Sequence, residues 1–139
     1  MFKALSDFNI YMEGMILKTN MVTPGKDLVK FGEYSVKEAA RATLEALGYT
    51  VPPLMPGIAF LSGGQTEEEA SVNLNAINQE RADFTVPWKM TFCYGRALKK
   101  SALGAWKGLA SNEKAAQDEF MKRVEINSRA SVGKYLTDY

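Results

Sequence analysis

Three short apolar runs recur along the chain, near residues 11–18, 57–62 and 88–94, and each breaks at glycine or polar residues before a segment with helical spacing. All three runs are mostly apolar on both faces, which is how strands of a parallel sheet covered on two sides read. Strands alternating with helices imply right-handed crossovers and strand C-terminal ends that emerge together on one side. The pattern therefore predicts an α/β fold built from three successive βα units.

The helices are marked by their ends. Ser35 followed by Glu38 has the spacing of a capping box, and Gly48 is placed to close the same helix. Between them Ala39, Ala40, Thr43, Leu44 and Leu47 form one packed face. Thr66 and Glu69 make a second box, with Glu67, Glu68 and Glu69 where the helix dipole is positive and Ala70, Leu74 and Ile77 on the inner stripe. A third helix is expected from near Arg96 towards Trp106. A fourth, from about Asn112 to Ser131, is expected to turn Phe120 and Val124 inward.

Composition narrows the chemistry. The 139 residues, 46% hydrophobic and 24% charged, suit one globular domain spanning 1–139. Seventeen basic residues against sixteen acidic ones give a net charge of +1, so nothing draws the chain to nucleic acid, and Lys99 with Lys100 reads as solvated helix surface. A lone cysteine, Cys93, excludes an internal disulfide and fits a reducing compartment. No run is long enough for a signal peptide or a membrane span, which points to a cytoplasmic protein without a membrane partner. Histidine is absent altogether, removing Ser-His-Asp and Cys-His triads and the histidine zinc sites. Lysine and carboxylate chemistry remain.

Lys18 closes the first apolar run. An ammonium held at the mouth of a hydrophobic strand loses hydration, which favours the neutral amine, and neutral amines attack carbonyls. Ser62, Gly63 and Gly64 lie between a strand and a capped helix, where backbone amides can approach an anion with the dipole behind them. Arg96 follows the third strand closely enough for its guanidinium fork to share that anion. Lys18, Ser62 and Arg96 thus fall at or just past the C-terminal ends of three successive strands, the edge at which α/β folds bind ligands. Each also has a plain structural explanation when taken singly. The glycines suit a tight turn, Arg96 and Lys18 suit a surface, and Cys93 suits a small buried side chain. Glu13 reads as structural, on the strand face opposite Lys18.

Taken in order, several motifs resemble class I fructose-bisphosphate aldolase. They are Glu13-Gly14-Met15-Ile16-Leu17-Lys18, Asn20-Met21-Val22-Thr23-Pro24-Gly25, Val51-Pro52-Pro53, Phe60-Leu61-Ser62-Gly63-Gly64-Gln65, Glu67-Glu68-Glu69-Ala70-Ser71, Asn73-Leu74-Asn75-Ala76-Ile77-Asn78 and Tyr94-Gly95-Arg96-Ala97-Leu98. The resemblance implies a partial (β/α)8 TIM barrel, namely the last three βα units plus the C-terminal helix. A whole barrel of this type takes about 250 residues.

By the same resemblance Lys18 is the Schiff-base nucleophile in cleavage of fructose 1,6-bisphosphate to dihydroxyacetone phosphate and glyceraldehyde 3-phosphate. Ser62, Gly63, Gly64, Cys93 and Arg96 would hold a phosphate of this small-molecule sugar phosphate. Neither metal nor other cofactor is implied, and the full-length family implies a homo-oligomer, often a tetramer. Three departures stand out: Thr19 where proline usually follows the lysine, Cys93 where serine is usual, and Gly48-Tyr49 in place of a basic pair. The tail beginning Gly133-Lys134-Tyr135 is short, and Tyr139 is not equated with the terminal tyrosine of some members. The family's acid/base glutamate, second lysine and aspartate match nothing in this chain, so the expectation is an aldolase segment inactive by itself. A second reading keeps the anion site without the chemistry, as a sugar-phosphate or protein-binding remnant.

Overall fold

The computed structural model describes residues 1–25 and 35–135. Its elements run α1 (Phe2–Asp7), β1 (Ile16–Thr19), α2 (Val36–Thr50), β2 (Gly57–Phe60), α3 (Glu67–Glu80), β3 (Lys89–Phe92), α4 (Arg96–Trp106) and α5 (Glu113–Ala130). The strands form one sheet in the order β1-β2-β3, and both pairings are parallel. Register is continuous across it, with Lys18 opposite Ala59 and Ala59 opposite Thr91. The expected βα alternation is therefore observed.

Period-2 alternation divides the sheet into two faces. Ile58, Phe60 and Met90 point to the buried side and meet Leu44 and Leu47 of α2, Ala70, Leu74 and Ile77 of α3, Trp88 and Ala97 in one core. Trp88 is enclosed and donates its indole N–H to the Pro52 carbonyl at 2.9 Å, which satisfies its single polar atom. The opposite face carries Ile16, Lys18, Gly57, Ala59, Lys89 and Thr91. Ile16 on that face is 61% exposed, and Lys18, Lys89 and Thr91 are exposed with it. Only β2 is buried on both faces, because its residues on this side are the small Gly57 and Ala59. The expectation of strands covered on two sides thus holds for the central strand alone; the two outer strands lack a layer over one face among the described residues.

Several boundaries differ from the sequence pattern. The first strand begins at Ile16 because residues 12–14 curl into a 3-10 turn, with Gly14 N–H on the Tyr11 carbonyl at 3.3 Å and Met15 N–H on that of Met12 at 3.1 Å. A Cβ at Gly14 would sit 2.7 Å from the ring of the exposed Tyr11, so glycine is what lets that ring lie against the turn. Glu13 consequently lies exposed in the turn rather than in a strand. Gly48 does not stop α2, which runs on to Thr50 with Val51 as its cap. Glu38 N–H reaches Ser35 Oγ at 3.3 Å, the serine half of the expected box. Thr66 and Glu69 form both halves of theirs, at 3.2 and 2.7 Å.

The last helix faces inward differently from its apolar pattern. Its buried residues are Arg123, Asn127 and Ala130, whereas Phe120 is 36% exposed. The reason is polar. Arg123 donates to the Glu67 carbonyl and to Ser71 Oγ, and Ser71 Oγ lies 2.9 Å from Asn127 Oδ1. Satisfying those groups on α3 fixes the rotation of α5 and leaves Phe120 at the groove beside Leu103 and Trp106 of α4.

Candidate functional site

Parallel pairing in register brings the residues after Thr19, Phe60 and Phe92 to one edge of the sheet. Hydrogen bonding continues one step beyond the strands, from Leu61 N–H to the Thr19 carbonyl at 2.9 Å and from Cys93 N–H to the Phe60 carbonyl at 2.8 Å. Lys18, the turn at Ser62, Gly63 and Gly64, Cys93 and Arg96 therefore gather along this edge. By alternation Cys93 follows Thr91 onto the same uncovered face as Lys18. Its thiol is exposed, so the expectation of a buried small side chain is corrected.

Lys18 is exposed as well. The dehydration expected of its ammonium is not supplied by the described residues, because β1 is an edge strand and its lysine face is bare. Arg96, the first residue of α4, is exposed directly after Gly95.

The glycine turn has a definite form. Gln65 N–H bonds the Ser62 carbonyl at 2.9 Å and Gly64 has φ +81°, the conformation that a type II turn demands of its third residue. Gly64 is thus needed for backbone freedom. At Gly63 space is tight, since a Cβ there would meet Leu61 Cδ1 at 3.0 Å and Asn20 Oδ1 at 3.3 Å. Both glycines are exposed, ahead of the capped N-terminus of α3. The turn thus stands bare just ahead of a helix N-terminus where the Thr66 and Glu69 amides are already engaged by each other's side chains.

All three loops are moored to helices by side chains that the sequence pattern alone assigned only to packing or passed over. Val22 N–H, just past Lys18, donates to Thr43 Oγ1 at 2.9 Å, and Thr43 returns its own proton to the Ala39 carbonyl at 2.8 Å. Gln65 Oε1 accepts from Asn73 Nδ2 at 2.7 Å. Tyr94 OH donates to the Ala70 carbonyl at 2.9 Å. Burial raises the Tyr94 phenol well above its ordinary pKa, with Arg123 nearby opposing the shift. Two of these three anchors are on α3, which holds the second and third loops from behind. The available signal was a polar residue at an inward helical position, seen in Thr43 and Asn73.

What these elements define is a parallel α/β unit presenting an exposed lysine and an exposed glycine turn at its strand ends. The model of the glycolytic class-I fructose-bisphosphate aldolase family matches residues 1–139, and the chain belongs to that family. It is 55% identical over 136 residues to goldfish (Carassius auratus) fructose-bisphosphate aldolase C and 54% identical over 136 residues to the chicken (Gallus gallus) aldolase B. Against rat (Rattus norvegicus) aldolase C it is 57% identical over 134 residues. These alignments take in 96–98% of this chain and 36% of each relative, so the chain spans roughly a third of their length. Among solved structures it superposes on Plasmodium falciparum fructose-bisphosphate aldolase, crystallised with TRAP and a small-molecule inhibitor, with a TM-score of 0.89 and 46% identity over 98% of this chain and 38% of that one. Among the described residues no helix is long and apolar enough to cross a membrane.

Proposed function

We propose that residues 1–139 are one unit, the last three βα repeats and terminal helix of a class I fructose-bisphosphate aldolase barrel, and that they supply its Schiff-base lysine and a phosphate grip. One observation supports this reading: the parallel register aligns the C-terminal ends of the three strands, the edge past which the Gly63–Gly64 turn and Arg96 follow, and among the described residues no layer covers the sheet face that carries Lys18.

Lys18 Nζ attacks the ketone carbon of fructose 1,6-bisphosphate, and loss of water from the carbinolamine gives a protonated imine. Removing the proton of the C4 hydroxyl breaks the C3–C4 bond. Its electron pair moves to the imine nitrogen, glyceraldehyde 3-phosphate leaves, and the remaining enamine is protonated and hydrolysed to dihydroxyacetone phosphate. The Gly63 and Gly64 amides, Ser62 and the Arg96 guanidinium hold a phosphate, which sets the carbonyl within reach of Nζ. Cys93 adds only a weak thiol donor at this position. The reaction places the protein in the cytoplasm, with glycolysis.

The bare face around Lys18 implies that these residues do not complete the reaction by themselves, since among the described residues no layer closes over the lysine to exclude water from a bound substrate. It also favours a second reading, a sugar-phosphate-binding module without turnover. Borohydride reduction with dihydroxyacetone phosphate separates the two. Triose-phosphate mass on Lys18, absent from Lys18→Met, supports the aldolase reading, and binding with no adduct supports the module. Appreciable cleavage of fructose 1,6-bisphosphate by the purified chain contradicts the claim that it is inactive alone.

A further inference from the structure

A buried amide spans the gap between the lysine strand and the exposed glycine turn. Gln65 is 9% exposed, although it directly follows two exposed glycines. Its backbone N–H closes the turn on Ser62, its Oε1 accepts from Asn73 of α3 at 2.7 Å, and its Nε2 lies 3.7 Å from the Sδ of Met21. Met21 is itself buried and lies three residues past Lys18. Gly63 abuts Asn20, so the turn touches the segment leaving β1 at two points.

None of this is required by the turn itself, which fixes only the backbone at Gly64. Nor does the core require it. An apolar side chain of similar volume would fill the space without the cost of burying an amide, a cost offset only when both ends of the amide find partners. What the amide adds is direction, because hydrogen bonds at both ends hold the turn at one distance from β1 where dispersion alone would let it slide.

We propose that Gln65, held by Asn73, is a positioning residue that sets the Gly63 and Gly64 amides at a fixed distance from Lys18, so that one substrate can reach both. This rests on the aldolase reading of Lys18 and the turn. Gln65 touches neither substrate nor reacting atoms; it acts through the turn and Met21.

The test uses the isotope-labelled 139-residue chain and the variants Gln65→Leu, Asn73→Leu and their combination. Amide exchange is measured without ligand, and inorganic phosphate is titrated while the Gly63 and Gly64 resonances are followed. In both single variants exchange should quicken at residue 65 and at Val22, whose amides bond the Ser62 carbonyl and Thr43 Oγ1, and stay unchanged at Ile58 and Phe60 in the centre of the sheet. Phosphate affinity at the glycine amides should fall about fivefold, the worth of roughly one hydrogen bond. The double variant should lose no more than Gln65→Leu, as expected of two residues acting as one tether. Unchanged exchange and affinity in Gln65→Leu would overturn the proposal, as would quickened exchange spread evenly through the sheet, which marks general destabilisation. Should the parent chain ignore phosphate while exchange responds locally as described, the anion-site reading fails and the positioning role falls with it, the tether being real but serving no substrate. Gln65→Met, which keeps the volume and loses the amide, replaces Gln65→Leu if the latter does not fold, and the same outcomes apply to it.

Discussion

The two faces of the sheet are built from alternate residues of the same three strands and have opposite characters. On one, Phe60 is 0% exposed and Ile58 and Met90 are enclosed by α2, α3 and Trp88. On the other, Ile16, Lys18, Lys89 and Thr91 meet no covering layer among the described residues. Because side chains alternate strictly along a strand, each residue commits to one face, so the interactions that hold the unit together and the groups offered for chemistry are separate sets. Stability and function can therefore be perturbed one at a time, face by face.

The largest effect is expected on the covered side. Phe60→Ala removes an aromatic ring from the middle of the core and should cost about 3–5 kcal/mol in urea unfolding, enough to unfold a marginal domain. Loss of under about 1 kcal/mol would mean that the packed face does not hold the fold.

Next comes the polar seam between α3 and α5. Arg123→Met strips donors from the Glu67 carbonyl and Ser71, and a loss of about 1.5–3 kcal/mol is expected for hydrogen bonds of a charged group. The same change should let α5 rotate and draw Phe120 inward, which protection of its neighbouring amides would report.

A smaller effect has a pH signature. Tyr94→Phe deletes the bond to the Ala70 carbonyl and should cost about 0.5–1.5 kcal/mol near neutrality. Burial keeps the folded phenol protonated beyond its ordinary range. The unfolded phenol ionises first, above about pH 10, so the contribution of Tyr94 is complete below that pH and declines as pH rises further. The stability gap between the parent and Tyr94→Phe should accordingly narrow in alkali. A gap that widened would reverse the assigned direction.

On the bare face, Lys18→Met should change stability by less than about 0.5 kcal/mol, since an exposed side chain away from caps and cores contributes little. A cost comparable to that of Phe60→Ala would show that the lysine belongs to the structure rather than to its chemistry.

Much of this division was legible in the sequence, and the exceptions have physical causes. The βα alternation, the Thr66–Glu69 box and the span of α4 followed from apolar runs and caps, which are local signals. The convergence of Lys18, the turn at Ser62 and Arg96 on one edge followed from parallel topology, whereas Cys93, read as a small buried side chain, is exposed because alternation turns it to the uncovered face. The fate of Glu13 and the late start of β1 did not, because a 3-10 turn stacked under Tyr11 replaces what composition reads as strand. Phe120 pointed the wrong way because apolar periodicity ignores a buried guanidinium that outbids an aromatic for the inner position. Gln65 and Asn73 were invisible as a pair, since a tether between a turn and a helix eight residues on exists only once both are folded.

The central claim, that the bare face and the turn form one sugar-phosphate site, is tested most directly by comparing two lysines on that face. Lys18 and Lys89 are both exposed, and only Lys18 lies at the edge that carries the Gly63–Gly64 turn. After borohydride reduction with dihydroxyacetone phosphate, peptide mass mapping should show the adduct concentrated on Lys18, with the excess over Lys89 abolished by competing inorganic phosphate. Equal labelling of the two lysines, indifferent to phosphate, would contradict it.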